Sequence, residues 1–201
     1  MSEILAKTSG ITLEEHTQHV VDEAREWLNA HPFLEAKYRA QTGEDLRAQL
    51  LHAAKVHDQG KRHLTWQKAC RKDAREGGGR NLMTANLRHE FASLDYAKKK
   101  GIDLTLPEKA AIAAHHGKLS KHQRARRRWR EDGDGQFQYL WDELWSIDNQ
   151  WTMRPPPDLT EKALDERFRI AGPRALLRLA DTRASIQEKE TQNWVPEPRE
   201  L

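Results

Sequence analysis

The chain has 201 residues, long enough for one domain with a sizeable core; 37% are hydrophobic and 32% charged, with seven tryptophans and a formal net charge of +3. That balance excludes a disordered chain and a polycation, and it fits a globular protein with a small, aromatic-rich core. One cysteine, Cys70, excludes an intramolecular disulfide and a zinc finger, and no stretch approaches the length of a membrane span, so a soluble cytoplasmic protein is expected.

The first helix is predicted over 12–30. Thr12 and Glu15 form a capping box at its start, and Pro32 closes it. His16 falls in its first turn, at helical spacing from Leu13, Val20 and Trp27 on the inward side, whereas His19 points to solvent. A second helix is predicted over 43–57. Leu46, Leu50, Ala53 and His57 share one of its faces, so an imidazole ends an apolar stripe where it needs a partner. Asp58 follows at once, and Gly60 lets the backbone turn. An imidazole and a carboxylate side by side suit a divalent ion, although the pair alone does not specify one.

Residues 62–67 form a short helical or irregular segment, and His52 and His63 are expected at the surface. The charged run that follows ends in Gly77-Gly78-Gly79, a flexible loop with no phosphate-cradling Gly-x-x-x-x-Gly-Lys pattern. A helix is predicted over 84–99, with Leu87, Phe91 and Leu94 as its apolar stripe, His89 and Ser93 on a neighbouring face, and Gly101 as its stop. Thr105-Leu106-Pro107-Glu108 is a second capping box with proline at the first helical position. It opens a short alanine-rich helix that ends in His115-His116, about 100° apart around the axis. Both imidazoles reach one centre only if that helix meets it end-on.

Residues 118–130 hold Lys118, Lys121, Arg124, Arg126, Arg127, Arg128 and Arg130 without an acid. Seven cations in thirteen residues repel one another unless a polyanion neutralises them, which points to nucleic acid. A solvated helix face or an acidic protein partner would also account for them, and Trp129 reads as core rather than as a base-stacking platform. The 131–135 loop lacks the closing glutamate of a calcium loop; Trp141, Leu144 and Trp145 follow a helical period; Pro155-Pro156-Pro157 makes an extended connector. Helix is expected over 160–170, a break at Gly172-Pro173, and a last helix to about residue 190. That helix carries Asp181 between Leu177 and Ala184 on one face. Residues 1–190 form one domain and 191–201 a loose tail, with no long strand alternation anywhere, so the fold class is all-α.

Polar residues on five otherwise apolar helical faces are costly unless they meet around something, and a metal centre satisfies all of them at once. The set His16, His57-Asp58-x-Gly60-Lys61, Arg88-His89-Glu90 with Ala92-Ser93, His115-His116-Gly117, and Ala180-Asp181 with Ala184-Ser185 resembles the HD superfamily. More closely it resembles the HD nuclease of type I CRISPR systems, over residues 12–185. The resemblance implies a helical HD bundle with two divalent transition-metal ions (Mn, Fe, Co or Ni). His16, His57, Asp58 and Asp181 would hold one, and Asp58 would bridge to a second held by His89, His115 and His116. It implies hydrolysis of single-stranded DNA by a metal-activated water, with Asp58 and Lys61 catalytic. Lys61 would contact a substrate phosphate; a surface lysine is the other reading. No Walker motif is present, so a separate helicase subunit or domain and a CRISPR RNA-guided surveillance complex are the implied partners. An HD phosphohydrolase acting on nucleotides or cyclic nucleotides would share His57, Asp58 and Asp181, and a non-catalytic nucleic-acid-binding module is a more distant alternative.

Overall fold

In the computed structural model of the protein, residues 3–85, 87–116 and 161–193 are described. They form eight α-helices, and among the described residues there is no strand, only an isolated antiparallel bridge between Leu5 and Thr12. The all-α expectation holds, and several boundaries differ from it for identifiable reasons.

Helix α1 (Leu13–Ala30) begins at the expected capping box. Thr12 Oγ1 accepts the Glu15 N–H at 3.2 Å, and the Glu15 carboxylate accepts the Thr12 N–H at 2.8 Å. Pro32 does close this helix, but it also opens α2 (Pro32–Thr42), a helix absent from the sequence reading. A proline at the first helical position gives up only an N–H that would lack a partner anyway. Gly43, with φ of 74°, ends α2 rather than starting the next helix. Helix α3 (Leu46–Val56) is capped instead by Asp45, whose carboxylate accepts the Ala48 N–H at 3.0 Å.

A 3₁₀ turn (Gln59–Arg62) carries Gly60, and here the reason for glycine is contact rather than turning. A Cβ on Gly60 would lie 2.1 Å from the His89 carbonyl oxygen and 2.5 Å from the Ser93 nitrogen. Helix α4 (Leu64–Glu76) is a full helix where a short or irregular segment was expected; Trp66, Cys70 and Asp73 mark its buried stripe at helical spacing. Asp73 accepts the N–H groups of Asn81 (2.9 Å) and Leu82 (2.8 Å), drawing the triglycine turn back onto α4 and starting α5 (Arg80–Ala85). The single helix predicted over 84–99 is therefore two. Helix α6 (His89–Lys99) starts afresh after Arg88, which is extended. Helix α7 (Leu106–Ala114) has its capping box, with Thr105 N–H donating to Glu108 at 2.6 Å; Pro107 falls at the second helical position, not the first.

The last helix, α8 (Glu161–Asn193), runs unbroken through Gly172-Pro173 and past residue 190. Pro173 has no N–H for the Arg169 carbonyl, which should leave that oxygen unpaired. Tyr38 supplies the missing donor: its hydroxyl donates to the Arg169 carbonyl at 2.7 Å. Gly172 makes room for it, since a Cβ there would sit 3.0 Å from the Tyr38 ring. A residue far away in sequence thus repairs what proline removes.

Helix α8 lies across α1, α2, α3 and α7, and α6 packs on the 3₁₀ turn and α7. The core between them is aliphatic, built on Val20, Leu28, Leu50, Ala53, Ile112, Leu177 and Ala184 with Phe91 and Tyr38. Of the tryptophans, Trp66 is buried and Trp27 half-buried, while the other five, and the expectations for residues 117–160 and the tail from 194, lie outside the described residues.

Candidate metal centre

The helices converge so that seven side chains distant in sequence face one another. His16 comes from the first turn of α1. His57 and Asp58 follow the end of α3, His89 opens α6, His115 and His116 follow α7, and Asp181 lies within α8. All the metal-ligand candidates of the sequence are brought together.

Asp58 lies at the middle, 1% exposed. Its two oxygens face different imidazoles. Oδ2 is 3.3 Å from His16 Nε2 and 3.5 Å from His57 Nε2. Oδ1 is 3.3 Å from His89 Nε2 and 3.7 Å from His115 Nε2. His16 Nε2 is also 3.2 Å from Asp181 Oδ1, and His89 Nε2 is 2.9 Å from His116 Nε2. Among the described residues the donor atoms fall into two groups, each spanning no more than 4.8 Å: His16, His57 and Asp58, and Asp58, His89, His115 and His116. Nitrogens and oxygens bound to one ion at about 2.1 Å stand roughly 3.0 to 3.4 Å from each other. The separations match shared coordination better than hydrogen bonding.

The polar accounting agrees. His16 Nε2, His57 Nε2, His115 Nε2 and Asp58 Oδ1 are buried without a hydrogen-bond partner. Orphaned polar atoms at such depth cost about 1–3 kcal/mol each, so a cluster of them facing one point fits a cation between them. Their rings are already aimed. His57 Nδ1 donates to the Ala54 carbonyl at 2.7 Å, His115 Nδ1 to the Ile112 carbonyl at 2.6 Å, and His16 Nδ1 to Glu188 Oε1 at 2.8 Å. Each such bond turns the Nε2 lone pair toward Asp58.

The electrostatics are strongly coupled. Burial alone would lower the His16 pKa, but the neighbouring carboxylates of Asp181, Asp58 and Glu188 raise it to about 10. Burial wins at His57, which falls to about 4, and at His116, which falls to about 3 with His115 and His89 adding repulsion. Burial opposes ionisation of Asp58, yet Lys61 and His57 hold its carboxyl well below the usual range.

Lys61 is not a surface lysine. It is 7% exposed, its Nζ is 2.6 Å from Asp58 Oδ2, and the same ammonium lies 5.4 Å from the Trp66 ring centroid. Ser93 links the turn to α6: its Oγ is 2.6 Å from the His57 carbonyl and accepts the Gly60 N–H at 2.8 Å. Two groups have contacts that the sequence reading did not assign. Glu188, 5% exposed, accepts from both His16 and His19, so the half-exposed His19 has a partner instead of facing only solvent. Glu90, 3% exposed, is forked by Arg88 and faces His89 Nδ1 at 3.7 Å. Glu188 lies at helical spacing from Asp181 and Ala184, a signal present but unmarked. His52 is half-buried and bonds Glu108 at 2.9 Å. The predicted DNA-contacting residues from Lys118 to Arg130 lie outside the described residues.

An all-helical bundle holding a His-Asp pair amid histidines and a distant aspartate defines the HD class, whose domains bind divalent metals. The family model described as Cas3, HD domain, matches residues 6–191, and the chain belongs to that family. It is therefore an HD-type nuclease of CRISPR defence and a metal-dependent hydrolase. No curated protein and no solved structure matched in the corresponding comparisons. No helix among the described residues is long and apolar enough to cross a membrane.

Proposed function

We propose that the protein is a two-ion nuclease that hydrolyses single-stranded DNA during type I CRISPR interference. The observation that carries this reading is Asp58, whose two oxygens each face a separate set of imidazoles. His16, His57, Asp58 and Asp181 hold one ion, and Asp58, His89, His115 and His116 the other. The donor set of imidazoles and carboxylates suits Mn²⁺, Fe²⁺, Co²⁺ or Ni²⁺. Bound there, two such ions would supply charge to offset phosphate oxygens and would lower the pKa of a water enough to provide hydroxide as the nucleophile near neutral pH.

The chain's own residues do the rest. The Nδ1 bonds of His16, His57 and His115 hold their rings in register. Lys61, too buried and too close to Asp58 to act as a free surface cation, fixes that carboxylate between the two sets and presents positive charge where a phosphate approaches. The basic stretch from Lys118 to Arg130 begins two residues after His116 and tracks the DNA backbone, with Lys118, Lys121, Arg124, Arg126, Arg127, Arg128 and Arg130 on phosphates. Residues 1–190 act as one cytoplasmic nuclease domain, alongside a helicase and an RNA-guided complex that deliver the strand.

The test is degradation of circular and linear single-stranded DNA with Mn²⁺, Co²⁺, Ni²⁺ or EDTA, beside Asp58→Ala. Cutting of both substrates that needs the ion and Asp58 is the expected result. Hydrolysis of a nucleotide panel with both DNA substrates untouched would replace the nuclease reading with a nucleotide phosphohydrolase.

A further inference from the structure

Glu188 has no part in the ligand set, yet the fold buries it and surrounds it with donors. His16 Nδ1 and His19 Nδ1 both lie 2.8 Å from its Oε1. The Lys7 ammonium pairs with its other oxygen and donates to Ser185 Oγ at 2.9 Å. A carboxylate whose side chain is 3% exposed is costly to keep unless its partners are well placed, and here the cluster joins three parts of the chain. The segment before α1 supplies Lys7, α1 supplies the two histidines, and α8 supplies Glu188 itself.

Glu188 also breaks a pattern. His57 and His115 aim their rings through backbone carbonyls three residues earlier, bonds no side-chain substitution can remove. His16 sits near the start of α1, where the preceding carbonyls are already taken by the helix, and it depends on a charged side chain from another helix. A carboxylate behind an imidazole fixes the ring and makes its far nitrogen a stronger donor to a cation than a carbonyl does.

We infer that Glu188 is a positioning residue for one of the two ions: through His16 Nδ1 it orients and strengthens the His16 donor, with Lys7 and His19 holding it in place. The inference rests on the two-ion reading and adds an asymmetry to it. Only the ion held by His16, His57, Asp58 and Asp181 depends on Glu188. The one held by Asp58, His89, His115 and His116 does not.

Titration of the metal-free protein with Co²⁺, followed by calorimetry and visible absorption, tests this on wild type, Glu188→Gln, Glu188→Leu and Lys7→Met. Glu188→Gln keeps an acceptor but not the charge. It should weaken one of two binding events by about tenfold and alter that ion's absorption bands, while the second event is unchanged. Glu188→Leu, lacking any acceptor, should weaken the same event toward a hundredfold, and Lys7→Met less than Glu188→Gln. In the Zn²⁺-loaded protein the slowly exchanging His16 Nδ1–H proton resonance should persist in wild type and be lost in Glu188→Leu. Should Glu188→Leu fail to fold, the Gln and Met variants carry the test. Two binding events equal to wild type in all variants would overturn the inference alone, as would equal weakening of both events. A wild type that takes up no ion would overturn the two-ion reading itself.

Discussion

Adding one methyl group at Gly60 tests how the site is assembled. In Gly60→Ala the new Cβ falls 2.1 Å from the His89 carbonyl oxygen, 2.5 Å from the Ser93 nitrogen and 2.7 Å from Ala92 Cβ. Carbon and carbonyl oxygen settle at about 3.3 Å or more, so the 3₁₀ turn and α6 must separate by roughly 1 Å. None of the obstructing atoms is the end of a flexible side chain. Overpacking of this kind costs about 1–3 kcal/mol. The separation also breaks the bond from Gly60 N–H to Ser93 Oγ and strains the one from Ser93 Oγ to the His57 carbonyl, adding about 1–3 kcal/mol. A total of roughly 2–6 kcal/mol lowers the melting temperature by about 4–24 °C for a chain of this size. The same movement carries His89 away from Asp58 Oδ1, now 3.3 Å from its Nε2, so affinity for the ion beside it falls as well. Circular-dichroism melts of the metal-free protein and calorimetric Co²⁺ titration measure the two effects. A variant that melts within a degree of wild type and binds Co²⁺ equally well would refute the close-approach reasoning.

Tyr38→Phe removes the hydroxyl that bonds the Arg169 carbonyl and should cost about 1–3 kcal/mol in urea denaturation. The cost should shrink in a Pro173→Ala background, where a backbone N–H returns; additive effects would show that the hydroxyl does not compensate for proline. At Asp73 burial favours the neutral acid, but the N–H groups of Leu82 and Asn81 outweigh it and lower the pKa below 3.8. Its contribution to stability is therefore present above that pH and is lost as the pH falls through the depressed folded value. Asp73→Asn should be destabilising at pH 7 and should flatten the acid limb of the stability curve, and an unchanged acid limb would count against this. His16, raised to about 10 in the metal-free site, carries a proton at pH 7 that a bound ion displaces. Calorimetry in buffers of different ionisation heat should detect about one proton released per protein, absent in His16→Gln, with affinity rising up to about tenfold per pH unit. Because that pKa lies above the ordinary 6.5, the same pairing stabilises the metal-free protein below pH 6.5 and fades as pH rises through about 10.

The parts of the fold encoded by near neighbours were legible in the sequence. Thr12 with Glu15 and Thr105 with Glu108 set two helix starts through contacts three residues long. The seven polar residues on apolar faces could be read as converging because burial of any one alone would be unfavourable. What stayed hidden depends on distant residues. Gly172-Pro173 reads as a break until Tyr38, contributed by another helix, is known to bond the freed carbonyl. Gly60 reads as a turn residue until α6 is seen against it. Glu188 shares the inward face of α8 with Asp181 and Ala184, but only the docked α1 shows that His16 is its partner.

The same division runs through the site. Helix ends leave their last carbonyls without an intrahelical donor. At α3 and α7 the chain places a histidine just past the end, and its Nδ1–H satisfies one of those carbonyls: Ala54 for His57, Ile112 for His115. One bond thus caps the helix and aims Nε2 at Asp58, so the ring orientation forms as soon as the helix does. His16 sits at a helix start, where free N–H groups rather than carbonyls are exposed and a protonated Nδ1 finds no local acceptor. Its acceptor is instead a carboxylate from another helix, Glu188 at 2.8 Å, whereas His89 Nδ1 lies 3.7 Å from the adjacent Glu90, beyond hydrogen-bond reach. Each of the two ligand sets therefore contains a histidine fixed by its own helix, and the first also contains His16, fixed only when α8 docks on α1. Asp58 joins them, so the full site cannot exist before α1, α6 and α8 have docked. Ion binding is then coupled to tertiary folding, and added ions should raise the melting temperature of the wild type with the logarithm of their concentration over their dissociation constants.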